Sequence, residues 1–224
     1  MNVVNPWYEI WNDSFPLRAF DREEGVKLLQ KIELIARISH RSEEAVTKDS
    51  YDRFLRAVVL SKGDWSVVEH ASLTVVFYVD RGITHEIVRH RIASYTQEST
   101  RFVNYVKKMV PNFIYPRVQD SEIDEDWKVT IEACEAGYQR LIAKGWTPQE
   151  ARSVFPNALG SKIAMTCNLR NWRHYLLMRS TREAHPQMRQ VIDPLLRELK
   201  EAIPILFEDI EAGATQAENL KKMR

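Results

Sequence analysis

Leu73-Thr74-Val75-Val76-Phe77-Tyr78-Val79 decides how this chain is to be read. The seven residues are almost all β-branched or aromatic, with polar residues and Gly82 at their borders, and that composition predicts a strand. Ile83 to Ala93 follows with a helical pattern. A second strand region is expected from Ala158 to Leu169, where Ile163, Met165 and Cys167 alternate. The other periodic segments are helical. Asp21 is an N-cap candidate for apolar positions Val26, Leu28, Leu29, Ile32, Leu34, Ile35 and Ile38. Tyr51 to Ser61 is expected to end at Gly63, and Asp124 to Ala143 to close at Gly145. Thr147, Pro148 and Glu150 spell a capping box for a short helix that Pro156 stops. Arg170 to Arg179 fits a helix, and Met188 to Ile210 a closing helix kinked at Pro204. The first twenty residues, with Pro6, Trp7, Tyr8, Trp11, Phe15 and Pro16, read as an irregular lead-in, and Tyr95 to Pro116 as mixed structure broken by Pro111 and Pro116. Strands interleaved with long helices predict a mixed α+β (or α/β) fold with a central sheet flanked by helices. With no repeat and no linker, residues 1–224 are expected to form a single domain.

Composition narrows the classes of function. Lys and Arg number 32 and Asp and Glu 31, a net charge of +1, so a broad nucleic-acid or membrane-binding face is not expected. Any anion site must be local. Cys134 and Cys167 make no disulfide framework and no CxxC metal motif. Met1 to Phe20 lacks a basic stretch followed by an apolar run, and no apolar run of about 18 residues is present to cross a bilayer. A cytoplasmic location is the expectation.

The local site is legible between Arg89 and Arg101. Arg89, His90 and Arg91 stand in a row at the end of the expected helix, with Ser94, Ser99 and Arg101 following. Guanidinium forks suit phosphate because they are planar, permanently charged and bidentate, and hydroxyls serve the remaining oxygens. A solvated basic face pairing with Glu86 or Glu98 is the other reading these residues allow. His85-Glu86 with His90 is not a zinc-protease helix, since that motif needs the second histidine at i+4, where Arg89 stands. Glycine is scarce, with seven residues and neither a P-loop nor a G-x-G-x-x-G, so side chains must hold any phosphate.

Arg89-His90-Arg91, seven residues, then Ser99 resembles the defining motif of the flavin-dependent thymidylate synthases, the ThyX family. Ser94, Gln97 and Arg101-Phe102 fit the same pattern. So do three further blocks in order: Glu69-His70-Ala71-Ser72, then Glu150-Ala151-Arg152 with Pro156, then Asn168-Leu169-Arg170-Asn171-Trp172-Arg173-His174 with Met178-Arg179. The likeness runs from about residue 20 to 210. It implies a ThyX-like fold and conversion of dUMP to dTMP, with methylenetetrahydrofolate as one-carbon donor and NADPH reducing through FAD. It also implies a homotetramer whose active sites are shared between chains.

Carried over by motif, the FAD site would take Arg89, His90, Arg91 and Gln97, with Ser72, Asn168, Leu169, Arg170 and His174 from neighbouring chains and His70 beside the flavin ring. Around dUMP would stand Glu86, Ile87, Val88, Arg89, Gln97, Glu98, Ser99, Thr100, Arg101 and Arg152. Arg179 would lie at the uracil edge as the catalytic cation, and no metal is implied. Electron density at C5 of uracil would come from polarisation by that fixed cation, because Cys167 in a strand pattern and Cys134 in a helix read as structural cysteines. Ser99 is expected to orient dUMP. Glu86 stands where some members of the family carry Gln, and a carboxylate there can only accept hydrogen bonds. Val103 to Asp126 has no matching block and is expected to form a substrate lid. Trp7, Tyr8, Trp11 and Phe15 are expected to pack against the body of the fold. The competing functional class is a non-catalytic nucleotide- or RNA-binding module built on the same arginines.

Overall fold

A computed structural model describes residues 1–11, 20–107, 110–118 and 120–222. Its strands are β1 (Asn2–Val3), β2 (Trp7–Trp11), β3 (Ser72–Asp80), β4 (Ser94–Gln97), β5 (Asn112–Phe113) and β6 (Gly160–Asn168). The main sheet has the order β2-β3-β6-β4 and is antiparallel throughout, and β1 pairs parallel with β5. The helices are α1 (Arg22–Ile38), α2 (Ser50–Leu55), α3 (Arg81–Ile87), α4 (Glu125–Ala143), α5 (Pro148–Ala151), α6 (Leu169–Arg179), α7 (Pro186–Ala202), α8 (Pro204–Phe207) and α9 (Gln216–Leu220). The mixed α+β class is therefore as the sequence predicts.

The β3–β6 ladder is the spine. Leu73 faces Cys167, Val75 faces Met165 and Phe77 faces Ile163, so both strands turn one apolar stripe to the same side. That face is buried under α1, α6 and α7 in a core that includes Leu29, Ile32, Trp172, Tyr175, Val191 and Leu195. Trp172 fastens α6 to the sheet by donating Nε1–H to the Leu73 carbonyl at 3.0 Å. A smaller cluster of Tyr105, Phe113, Ile131, Tyr138, Ala151 and Leu159 forms around α4. The two caps read from sequence are in place: Asp21 accepts from a backbone N–H of its helix, and Thr147 with Glu150 closes the capping box; Asp124 and Asn168 cap α4 and α6 in the same way.

Four expectations need correction. Within the irregular lead-in, Trp7–Trp11 is an edge strand registered on Thr74–Tyr78, with Trp7 stacked on Tyr78 at 5.4 Å. An exposed ladder edge on β3 and an aromatic partner outweigh the local Pro6 signal. The calls on Phe15 and Pro16 lie outside the described residues. The helix expected to Ala93 stops at Ile87. Ser94–Gln97 is recruited to the free edge of β6, and Tyr95 Oη lies 3.1 Å from the Ile87 carbonyl and 2.5 Å from that of His90, satisfying the chain where it leaves the helix. The closing helix breaks rather than kinks at Pro204: Ile203 leaves helical geometry and Pro204 starts α8 as its first residue. The helix expected from Tyr51 to Ser61 is α2 followed by a π-helical turn, Arg56–Ser61, with Gly63 beyond it at φ +82°.

Candidate active site

Because α3 ends at Ile87, Arg89, His90 and Arg91 lie on the segment that carries the chain from helix to edge strand. Arg89 and Arg91 are exposed residues on the rim of a cleft of about 280 Å³ shared with His90, Asn171, His174 and Met178. Among the described residues neither arginine has an ion-pair partner, unlike Arg170, which binds Glu69 at 2.5 Å, and Arg173, which binds Asp209 at 2.6 Å. The solvated-face reading, in which Glu86 or Glu98 neutralises this row, is not what the geometry gives. Glu98 accepts from the Tyr105 hydroxyl at 2.7 Å, and Glu86 is engaged by Arg179.

Arg179, on the last turn of α6, is gripped on three sides. Its Nε–H donates to His90 Nε2 at 3.2 Å, one Nη1–H to Glu86 Oε2 at 3.3 Å and one Nη2–H to the Glu86 carbonyl at 3.1 Å. A guanidinium has five N–H donors, so two remain for a ligand. His90 must accept at Nε2, which leaves its proton on Nδ1. Burial, then the nearby Arg179 and His174, holds its pKa down to about 4. The sequence offered His90 as a third ionisable group in the row, whereas in the fold it is neutral at pH 7 and the charges there are arginines. Tyr175 packs edge-on against it at 4.5 Å and His174 at 5.7 Å.

A second cleft, about 470 Å³, is lined by Glu69, Ile92, Asn168, Arg170, Asn171 and His174 among others. It shares Ile92, Asn171 and His174 with the first, so the two are neighbours. Ser72 pairs with Asn168 in the ladder, and the Leu169 N–H donates to the Ala71 carbonyl at 2.8 Å, which brings the segment of His70, Ser72 and Asn168 to this end of β6.

The rest of the motif lies toward the other end of that strand. The Glu98 N–H donates to the Lys162 carbonyl, six residues from Asn168 along β6, roughly 20 Å at about 3.3 Å per residue. Ser99 Oγ accepts from the Arg101 N–H at 3.2 Å, Arg101 Nε donates to Gln149 at 3.0 Å, and Arg152 Nη1 donates to Thr100 Oγ1 at 3.2 Å. Gln97 is committed inside the protein, donating to Thr84 at 3.0 Å and Ser161 at 3.3 Å. Ile87 is fully buried, while Val88 is exposed. Neither cysteine lines these clefts. Burial pushes the Cys167 thiol up to about 12, so it is not a thiolate at neutral pH. Within the unmatched stretch from Val103 to Asp126, Tyr105 is buried against Tyr138 and Phe155, so that part is anchored core and not free lid.

Sequence reasoning gave no role to Tyr95, which closes α3, or to Asn171 and Met178 in the cleft wall, although the last two stand within the matched block 168–179. Among the described residues no three His, Cys, Asp or Glu side chains group as metal ligands, and no helix is long and apolar enough to cross a membrane.

A sheet-backed cleft whose rim carries arginines with no ion-pair partner among the described residues, without a glycine-rich loop, offers side-chain donors suited to anionic groups. The chain belongs to the family described as thymidylate synthase complementing protein, whose model matches residues 27–205. It is similar to the flavin-dependent thymidylate synthase of Geobacter sulfurreducens, with 34% identity over 157 residues, 69% of this chain and 68% of that one. The enzyme of the same name from Mycobacterium sp. strain KMS is 34% identical over 221 residues, 85% of this chain and 82% of the relative. In fold the chain resembles a UMP/dUMP methylase, PolB, from Streptomyces cacaoi, bound with 5-Br dUMP. That likeness has a TM-score of 0.72 and 21% identity, covering 93% of this chain and 96% of the other.

Proposed function

We propose that the protein is a flavin-dependent thymidylate synthase of the cytoplasm that reductively methylates dUMP to dTMP, with 5,10-methylenetetrahydrofolate as one-carbon donor and NADPH as reductant through FAD. The observation that carries this reading is the fixed Arg179, held by Glu86 and neutral His90, two donors to spare, near Arg89 and Arg91, which have no ion-pair partner among the described residues.

The residues present suit FAD. Its pyrophosphate needs donors, and Arg89 and Arg91 offer forks without ion-pair partners among the described residues, joined by Asn168, Arg170 and His174 around the neighbouring cleft. His70 and Ser72 share that end of the sheet, with Leu169 buried beneath them. When bound, the flavin supplies hydride. The chain's own contribution is electrostatic and positional. Arg179 presents fixed N–H donors to the uracil N3/O4 edge and favours the ionised pyrimidine, which raises electron density at C5 without a thiol nucleophile. Glu86 and His90 hold the guanidinium in place, and His90, being neutral, adds no competing charge. Ser99, Thr100, Arg101 and Arg152 orient dUMP, with Ile87, Val88, Gln97 and Glu98 shaping the segment behind them.

A homotetramer with shared sites is part of the proposal. Two features support it. Within one chain Arg179 and the residues proposed for FAD sit toward one end of β6, and Ser99, Thr100, Arg101 and Arg152 toward the other, and Ile92 (76% exposed) and Phe102 (70% exposed) leave apolar surface beside each.

The deciding experiment is the visible absorption spectrum of purified protein with and without dUMP, followed by NADPH oxidation. A flavin spectrum perturbed by dUMP is expected. Colourless protein that cannot be reconstituted with FAD, or binding without redox chemistry as in an RNA-binding module, would refute the proposal.

A further inference from the structure

α6 ends at Arg179 without a left-handed capping residue: among the described residues the first positive φ after it is at Gly213. Ser180 serves one trailing carbonyl, that of Leu176, with its N–H at 3.0 Å and its hydroxyl at 2.7 Å. The other carbonyls of this helix end must find donors elsewhere. The segment beyond α8 brings two. Asn219 on α9 donates Nδ2–H to the Leu177 carbonyl at 2.9 Å, and the Gly213 N–H donates to the Ser180 carbonyl at 2.7 Å. The Arg182 N–H in turn donates to the Ala214 carbonyl at 3.2 Å.

One side chain of α6 ties this segment down at both ends. Arg173 donates to the two carboxylate oxygens of Asp209 at 2.6 and 2.7 Å and to the Lys222 carbonyl at 3.0 Å, and Lys222 Nζ donates to the Asp209 carbonyl at 2.7 Å. Residues 209–222 are therefore a strap closed on the buried Arg173 and laid against the last turn of α6. Asp209, Gly213 and Asn219 lie outside the motif blocks.

Asn219 is fully buried, and its Oδ1 has no hydrogen-bond partner among the described residues. Burying an orphaned amide oxygen costs stability, a cost that an apolar side chain of similar size would not carry. What the amide alone supplies is a fixed donor to the carbonyl two residues before Arg179. The guanidinium has little slack, because its bonds to His90 and Glu86 are already 3.1–3.3 Å long.

We propose that Asn219 is a positioning residue for the reaction, holding the last turn of α6 through the Leu177 carbonyl and so fixing the aim of Arg179. This rests on the role given to Arg179 above and extends it to the strap.

The test uses the FAD-loaded full chain and compares Asn219→Ala with wild type and with Gly25→Ala, a control that strains the meeting of α1 with the end of α7. In Asn219→Ala, kcat for dTMP formation should fall about ten- to a hundredfold, the scale of a misplacement of about 1 Å. KM for dUMP and bound FAD should stay near wild type, because the groups proposed for phosphate and flavin are untouched. The His90 titration, held down to about 4 in part by Arg179, should move up as the guanidinium shifts. Gly25→Ala should lower Tm with neither change. If Asn219→Ala fails to fold, Asp209→Asn, which loosens the start of the strap, is judged by the same two readouts. Unchanged kcat overturns the proposal, as does a fall in kcat with the His90 titration unmoved, or an equal fall in Gly25→Ala. Wild-type protein that makes no dTMP overturns the reading of the reaction instead, and the His90 comparison, which needs no substrate, then decides the strap.

Discussion

Arg179→Ala removes the group on which the proposed chemistry depends, and the structure says what else goes with it. The guanidinium makes three hydrogen bonds of 3.1–3.3 Å to His90 and Glu86, and its side chain is 21% exposed. At about 1 kcal/mol net each, their loss costs about 2–3 kcal/mol of stability. For a chain of this size that lowers Tm by roughly 5–10 °C, so the variant folds and can be assayed. The catalytic effect is larger. Removing one preorganised donor aimed at developing charge typically costs about a hundred- to a thousandfold in rate, and here two spare donors and a full charge leave together. The expected outcome is dTMP formation down at least that far, with the FAD absorbance retained, since Arg89 and Arg91 are untouched. A second readout is specific to this geometry. Arg179 is one of the groups that depress the His90 pKa, so without it His90 should titrate above about 4, followed by NMR of its ring protons. A rate close to wild type refutes the assigned role, and an unmoved His90 titration refutes the contact that supports it.

Three further outcomes follow from other parts of the molecule. Cys167→Ala with Cys134→Ala should keep dTMP formation, and alkylating reagents should not inhibit wild type, because the Cys167 thiol is buried and held protonated; loss of turnover in the FAD-loaded variant would restore a cysteine mechanism. Gly25→Ala should cost at least about 2–3 kcal/mol in denaturant unfolding, because its Cβ would lie 2.2 Å from the Ala202 carbonyl where α1 crosses the end of α7. Because His90 is harder to protonate folded than unfolded, the unfolded chain binds the extra proton between pH 6.5 and about 4; the stability His90 contributes is full above 6.5 and is lost as pH falls through that window. Urea midpoints at pH 7 and pH 5 should differ less in His90→Asn than in wild type, and equal slopes would contradict the buried neutral state.

Much of the scaffold was legible because its causes are local. The β-branched run at Leu73–Val79 became β3, the alternation of Ile163, Met165 and Cys167 became β6, and Asp21, Asp124 and Thr147 start their helices as caps. The misreadings came where a distant strand competes with local propensity. Trp7–Trp11 looks irregular until Thr74–Tyr78 offers it an edge, and Ile83 to Ala93 looks helical throughout until β6 recruits Ser94–Gln97. Local sequence does not encode the presence of an open ladder edge.

The same division runs through the candidate site. The order and spacing of Arg89, His90, Arg91, Ser99, Arg152 and Arg179 are properties of the sequence, and they place the chain in its family before any coordinates are known. Charge state and partnership are not. Glu86 and Arg179 are 93 residues apart and meet only because α6 packs back across the sheet to the end of α3. His90 loses its charge through burial beside that arginine. The sequence by itself determined which chemical groups are available. The tertiary structure decided which are neutral, which are already paired and which remain free for a ligand, because hydrogen bonding and desolvation act through space and not along the chain.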